Sequence, residues 1–394
     1  MHKINKKILL LDNTKKSYVT KMIKINEKGL GIMTELSKQI SDNRKKFRVD
    51  HFDIVVSEYI NRYNNKNIIL DPPYQRKFRW DIKTQSALIE SILIGIPLPP
   101  IFAFSNDNFD WEIIDGLQRT TTLINFLTDK KDSQGNFFKF QGCEILTELN
   151  GKSLKDLPDA IRNSINNARL RIELVEDTDD AYSQYLLFSR LNSNGEALSP
   201  QELRNFLIYK LNPNFYTEIT STLKNLPSFK RIIHLLPKRV DKQEDIEYIL
   251  RFFICKKIMI SQKNDKHKYS NIEDILTNEI QLYLKNTSES QLKNDYKLFI
   301  EVFDYIDFIQ NGNGFKAFDK PSQSLPNVSV ILPAISMHIK KYKSLDKSHV
   351  LEIIHDFYND NTYKKITQQS YSPVKRFFEL SLYASAYFYA KIRG

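Results

Sequence analysis

Asp115-Gly116-Leu117-Gln118-Arg119 puts an acid, a glycine, an amide and a guanidinium within one turn of chain. The apolar run Trp111-Glu112-Ile113-Ile114 before it reads as a strand. After it, Leu123, Ile124 and Leu127 fit one face of a helix. Asp-Gly is a turn dipeptide, and Gly116 accepts the positive φ that a tight strand-to-helix corner requires. Such a corner ends in a helix N-terminus, whose unpaired N–H groups and positive dipole end suit an anion. Arg119 beside that end offers a planar, permanently charged fork for phosphate. Asp115 would hold a metal ion or orient the arginine. The same charges also suit a plain solvated connection.

Two other stretches carry polar chemistry. In Asp71-Pro72-Pro73-Tyr74-Gln75-Arg76-Lys77-Phe78-Arg79-Trp80 the prolines stiffen the chain and withhold donors at their own positions. Arg76 and Arg79 flank aromatic rings, an arrangement that can bind a phosphate and stack a base; arginines in ordinary surface pairs are the alternative. Further on, Phe188-Ser189-Arg190-Leu191-Asn192 is followed by Glu202-Leu203-Arg204-Asn205. Arg190, Asn192 and Arg204 either reach a site or fix the turn and the start of the next helix.

The elements that must position these groups follow from periodicity. A helix pattern runs from Phe52 through Ile54, Val55, Tyr59, Ile60 and Tyr63, and Asn64–Asn67 breaks it before a short buried strand at 68–70. Asp81 is a candidate N-cap for a helix with Leu88, Ile89, Ile92, Leu93 and Ile96 on one face, ended by Pro97, Pro99 and Pro100. Residues 101–104 and 111–114 form a hairpin whose second strand delivers Asp115. Arg76 and Arg119 are then expected on one sheet-and-helix module, facing one pocket. Residues 128–167 carry turn signals, including Ser133-Gln134-Gly135-Asn136 and Asn150-Gly151. A strand at 170–175 and a helix at 181–191 follow, then a left-handed turn at Asn194-Gly195 and a capping box at Ser199-Pro200-Gln201-Glu202. From Phe206 on, amphipathic helices are predicted at 245–253 and around 272–285, 291–309, 328–341, 347–358 and 373–391. Breaks are expected at 311–314, Pro321, Pro326 and 359–361. The many tyrosines and phenylalanines of this half are expected in its core.

Composition narrows the classes. Lysine and arginine outnumber acids 58 to 47, a net charge of +11 that suits a polyanionic partner or simple solubility. Cys143 and Cys255 alone cannot form a disulfide framework or a cysteine zinc site, and they suit a reducing cytoplasm. No apolar run approaches the ~20 residues of a membrane span, so a cytoplasmic protein with no membrane partner is expected. There is no G-x-x-x-x-G-K-[ST] loop, H-E-x-x-H helix or serine elbow. His349 and His355, six apart, point roughly 120° away from each other on a helix and make no two-histidine metal grip.

The three polar blocks resemble those of the ParB/sulfiredoxin-like domain at the front of GmrSD-type restriction enzymes. Asp115, Gly116, Gln118 and Arg119 match its D-G-Q-Q-R motif, with Leu117 in place of the commoner glutamine. Residues 72–80 match P-x-Y-Q-R-x-x-x-W, and 188–204 match F-x-R-[IL]-N-x-x-G…L-x-x-x-E-[IL]-R. The resemblance implies an α+β chain: a basic leader at 1–50, a small mixed-sheet domain at 51–200 and an α-helical domain at 201–394. It implies an anti-phage defence protein that binds and hydrolyses a nucleoside triphosphate with Mg2+ while engaging DNA, modified or phage DNA included. Asp115, Gln118 and Arg119 would be catalytic, with Asp115 on the metal. Tyr74, Gln75, Arg76, Gly116, Arg190 and Asn192 would bind nucleotide. Relatives carry a later H-N-H nuclease domain with no counterpart here, so a partner nuclease or defence subunit is expected to supply cleavage. The rivals are a metal-dependent nuclease in its own right and a non-enzymatic nucleic-acid sensor.

Overall fold

Phe52 and Ile54 alternate with His51, Asp53 and Val55, and the period of two decides the start of the fold. The structure, a computed structural model, describes residues 34–44, 49–70, 72, 74, 78, 80–131, 135–176, 180–191, 198–233, 235–312, 325–368 and 370–393, with backbone alone at 223–224 and 325–328. Residues 49–55 form strand β1 (Val49–Val55), with Phe52 and Ile54 on the less exposed side, and helix α2 (Val56–Asn64) begins only afterwards. The helix pattern expected from Phe52 is corrected at its front: antiparallel pairing with β5 (Arg169–Glu176) claims that stretch. A preceding helix, α1, covers residues 34–44 and is exposed throughout.

The chain is α+β. Five strands make one mixed sheet in the order β1-β5-β3-β4-β2, with β2 at Ile68–Ile69, β3 at Ile101–Ser105 and β4 at Trp111–Asp115. The β3–β4 hairpin is antiparallel, while β3 with β5 and β2 with β4 are parallel. Helices α2, α3 (Ile82–Ile94), α4 (Leu117–Leu127) and α5 (Asp159–Asn166) supply the apolar groups that cover it, among them Tyr59, Ile89, Leu123, Ile124 and Ile165. Each such side chain, fully buried, contributes roughly 1.5–3 kcal/mol of transfer free energy.

Asp81 caps α3 as expected, accepting from the Thr84 N–H at 2.8 Å. The helix stops at Gly95, a left-handed C-cap (φ 78°), before the prolines that the sequence suggested, and Ile96 lies beyond it, half exposed. The irregular segment after α4 is held to α3 by side chains. Glu90 accepts from the N–H groups of Ile145 (3.0 Å) and Leu146 (2.6 Å), Ser86 accepts from Gln141, and Phe138 and Phe140 pack on Phe126.

By contacts the chain divides into two compact units, Met1–Leu70 with Phe78–Ser183 and Asp71–Lys77 with Gln184–Gly394. The division falls earlier than the boundary at 200 read from sequence. The second unit is helical: α6 (Ala181–Leu191, begun in the first unit), α7 (Pro200–Leu211), α8 (Pro213–Asn225), α9 (Pro227–Ile232), α10 (Pro237–Val240), α11 (Glu244–Ser261), α12 (Ile272–Asn286), α13 (Glu289–Ile309), α14 (Leu325–Ser336), α15 (Ile339–Lys343), α16 (Lys347–Asn359), α17 (Asn361–Ile366) and α18 (Pro373–Ala390). Helix α11 is central. Ile246 and every residue from Tyr248 to Lys256 are buried, because α7, α8, α12, α14 and α18 all touch it, so it is not the one-faced helix expected at 245–253. The helix expected at 328–341 divides at Met337-His338, and Pro326 falls in the first turn of α14 rather than at a break. The lysines of 1–33, Asn194-Gly195 and Pro321 lie outside the described residues.

Candidate functional site

Strand β4 ends at Asp115, and its register against β3 slips just there. Ala103 faces Ile113 but Phe102 faces Asp115, so Ile114 is bulged and both isoleucines are buried. Bulges of this kind re-aim the side chains that follow. Gly116 then turns the chain at φ 97°, and α4 starts at Leu117 with no side chain capping it and no acid in its first turn. A Cβ on Gly116 would stand 3.1 Å from Ile101 Cγ1 and 3.3 Å from Arg119 Nη2, so glycine is required both for conformation and for space.

Arg119 folds back across this turn. Its Nη2 donates to Asp115 Oδ2 at 3.0 Å and to the Pro100 carbonyl at 3.2 Å, and its Nη1 donates to the Pro99 carbonyl. The Arg119 side chain is only 12% exposed and that of Asp115 is 36% exposed. Burial pulls the guanidinium below its ordinary pKa, while the Asp115 carboxylate and Tyr59 pull it back up. Beneath it, the buried Tyr59 hydroxyl lies 2.9 Å from Thr120 Oγ1, and burial drives the Tyr59 phenol well above its usual value. Gln118 accepts the Trp80 N–H through Oε1 at 3.1 Å, which ties the end of the proline-aromatic segment to the helix start. Tyr59, Thr120 and the two proline carbonyls carry no motif; only Thr120 adjoins one.

Residues 56–209, from the first turn of α2 into α7, match the family model described as GmrSD restriction endonuclease, N-terminal domain. The match supports a GmrSD-type N-terminal domain over that stretch. No curated protein and no solved structure matches the chain.

The other residues expected at the site of the GmrSD-type domain fall as follows. Gln75, Arg76 and Asn192 lie outside the described residues. Tyr74 groups with the second unit, 2% exposed, its ring edge-on to Phe206 (5.0 Å) and near Tyr209 (5.3 Å); its ring packs core there and presents no open face to a base. Arg190 is exposed in the last turn of α6. The Ser199 capping box forms as expected, Ser199 Oγ accepting from the Glu202 N–H and Glu202 Oε2 from the Ser199 N–H at 2.7 Å. Arg204 is wholly buried, bound to Gln201 Oε1 (3.0 Å), Glu247 Oε2 (3.1 Å) and Glu273, so it anchors helices rather than meeting solvent.

Among the described residues no group of three or more His, Cys, Asp or Glu side chains could hold a metal ion. Asp115 commits Oδ2 to Arg119, which leaves it one other carboxylate oxygen. That fits Mg2+ only in its commonest protein setting, one or two carboxylates with substrate phosphates and water completing the octahedron. Among the described residues no helix is long and apolar enough to cross a membrane.

Proposed function

We propose that this protein is a restriction-type anti-phage defence protein whose Asp115–Arg119 turn binds and hydrolyses a nucleoside triphosphate while the chain engages DNA. The observation that carries this reading is the pairing of an uncapped helix N-terminus at Gly116 with a positioned guanidinium three residues on. The first N–H groups of an α-helix have no intrahelical acceptors, and α4 has no side chain capping them, which suits an anion. Arg119 spends three of its five N–H donors on Asp115, Pro99 and Pro100, and in this reading the other two would serve phosphate oxygens. Asp115 orients Arg119 and would lend one oxygen to a Mg2+ ion carried in by the phosphates, which neutralises charge as the transferred group departs. Gln118 acts by positioning, holding the Trp80 backbone against the turn. The net charge of +11 supports contact with DNA. A self-sufficient metal nuclease is disfavoured because such sites gather several carboxylates, and Glu112 and Asp115 are the only acids between Trp111 and Thr120.

The test is hydrolysis of each nucleoside triphosphate by pure protein with Mg2+, with plain or modified DNA and without. Wild type should turn over at least one nucleotide. Arg119→Ala should keep native tryptophan fluorescence and lose about 10³-fold or more in rate, the scale of an arginine aimed at developing phosphate charge. Nucleotide binding without turnover would leave a sensor. No binding of any nucleotide, or an Arg119→Ala protein equal to wild type, would overturn the reading.

A further inference from the structure

Strand β1 is the last strand at one end of the sheet, and among the described residues only β5 pairs with it. The bond just past its end, from the Val56 N–H to the Ala168 carbonyl at 2.9 Å, tells which backbone groups face outward. Residues of an antiparallel strand alternate between its two edges, so Asp50, Phe52 and Ile54 turn their N–H and C=O groups to β5, as Val56 does. Val49, His51, Asp53 and Val55 turn theirs to the open edge. His51 agrees, since its N–H goes to the neighbouring Asp50 carboxylate at 2.8 Å.

An open edge is a template for another strand, and the side chains along it decide which. His51 is exposed and stands opposite Glu173 in the register. Asp53 stands opposite Arg171, whose Nη1 donates to Asp53 Oδ1 at 3.4 Å. At the two ends Val49 and Val55 are 42% and 36% exposed. The outward residues run Val, His, Asp, Val, an order that complements its own reverse.

We propose that β1 pairs antiparallel with β1 of a second copy of this chain, about a two-fold axis at Phe52. That axis sets His51 against the partner's Asp53 and Val49 against the partner's Val55. The central outward residues then exchange backbone hydrogen bonds in pairs. Across the joined edge one row runs Arg171, Asp53, the partner's His51 and the partner's Glu173, so each Asp53 carboxylate lies between two donors. On the other face Phe52 meets its own copy, and the exposed Asp50 flanks Ile54. An axis at Asp53 would set that carboxylate against itself, and like charges directly opposite are destabilising. An axis at His51 would set Val49 against Asp53. Residues 49–55 precede the matched residues 56–209, so the proposal stands apart from the nucleotide reading.

Sedimentation equilibrium of the full chain tests it, at about 0.15 M salt to screen the repulsion between two chains of net charge +11. One strand pairing falls short of the ~1,000 Å2 of a lasting interface, so a Kd on the order of 100 µM is expected, with mostly dimer at about 300 µM. His51→Asp sets two carboxylates against each other, and Asp53→Lys removes the acceptor; each should weaken the dimer about tenfold or more. Mixed in equal amounts, the new carboxylate meets the new ammonium and the native Asp53 meets the native His51, so dimer should return. Native tryptophan fluorescence checks the fold of each variant, because Trp80 and Trp111 both lie in the first unit. Should Asp53→Lys lose it beside Arg171, Val49→Lys at the strand end should dissociate the dimer in its place. The proposal fails if wild type stays monomeric at about 300 µM, if the folded variants dimerise as wild type does, or if the mixture stays monomeric.

Discussion

Replacing Gly116 by alanine probes whether the turn is built as described. At φ 97° an alanine carries the left-handed penalty, roughly 1 kcal/mol. The new methyl also meets Ile101 Cγ1 at 3.1 Å, and Ile101 is a 2%-exposed residue of β3 that cannot swing into solvent. Forcing an extra carbon into such packing costs about 1–3 kcal/mol, so the sum is roughly 2–4 kcal/mol. The chain has two tryptophans, Trp80 and Trp111, and both lie in the first unit. Tryptophan fluorescence in urea therefore follows that unit without contribution from the helical one. With a slope of about 2 kcal/mol per molar, the midpoint should fall by roughly 1–2 M. A shift under about 0.3 M at unchanged slope would refute both the strained turn and the close approach of Ile101.

Arg204→Ala should destabilise the second unit by about 3–5 kcal/mol, because Glu247 and Glu273 lose the cation that balances them; urea unfolding followed at 222 nm reads it, and a loss below 1 kcal/mol would contradict the buried network. Asp81 is held below the ordinary carboxylate pKa first by the Thr84 hydroxyl and then by the Thr84 N–H, and Asp156 first by the Ser153 N–H and then by its hydroxyl. Both caps therefore stabilise fully above the unfolded value near ~4 and lose that contribution as pH falls through the lower folded values. Asp81→Asn should flatten stability between about pH 4 and 2 relative to wild type, and an unchanged acid slope would be the contrary result. Burial pushes the Cys255 thiol up to about 11 and raises Cys143 as well, so neither should react with an aromatic disulfide reagent at pH 8 until urea unfolds its unit. Prompt labelling of native protein would show that these sites open.

The hairpin delivering Asp115, the Gly116 turn, the Asp81 cap and the Ser199 capping box were legible because each is a local signal within four or five residues. Strand β1 was not legible. Phe52 and Ile54 suit either period, and only the distant β5 decides between them. The same limit hid the engagement of Arg119 with Pro99 and Pro100, since carbonyl acceptors carry no residue signature. It also hid the role of Arg204, whose two acidic partners stand far along the chain. Helix α11 read as one-faced because sequence shows the apolar residues of one helix but not how many neighbours surround it.

The pairing of β1 with β5 also governs the order of events during synthesis. Val49 meets Val175, and β3 meets β5 at Ile172 and Leu174, so neither the first strand nor the parallel edge of the hairpin finds its neighbour until residues 169–176 have left the ribosome. At ~5–20 residues per second, that wait is on the order of ten seconds. During it the β3–β4 hairpin and α4, with the Arg119 turn between them, can form alone, while Phe52, Ile54 and Ile101 remain uncovered. A nascent chain halted before residue 169 would be the form that chaperones bind, and one released after 176 would not.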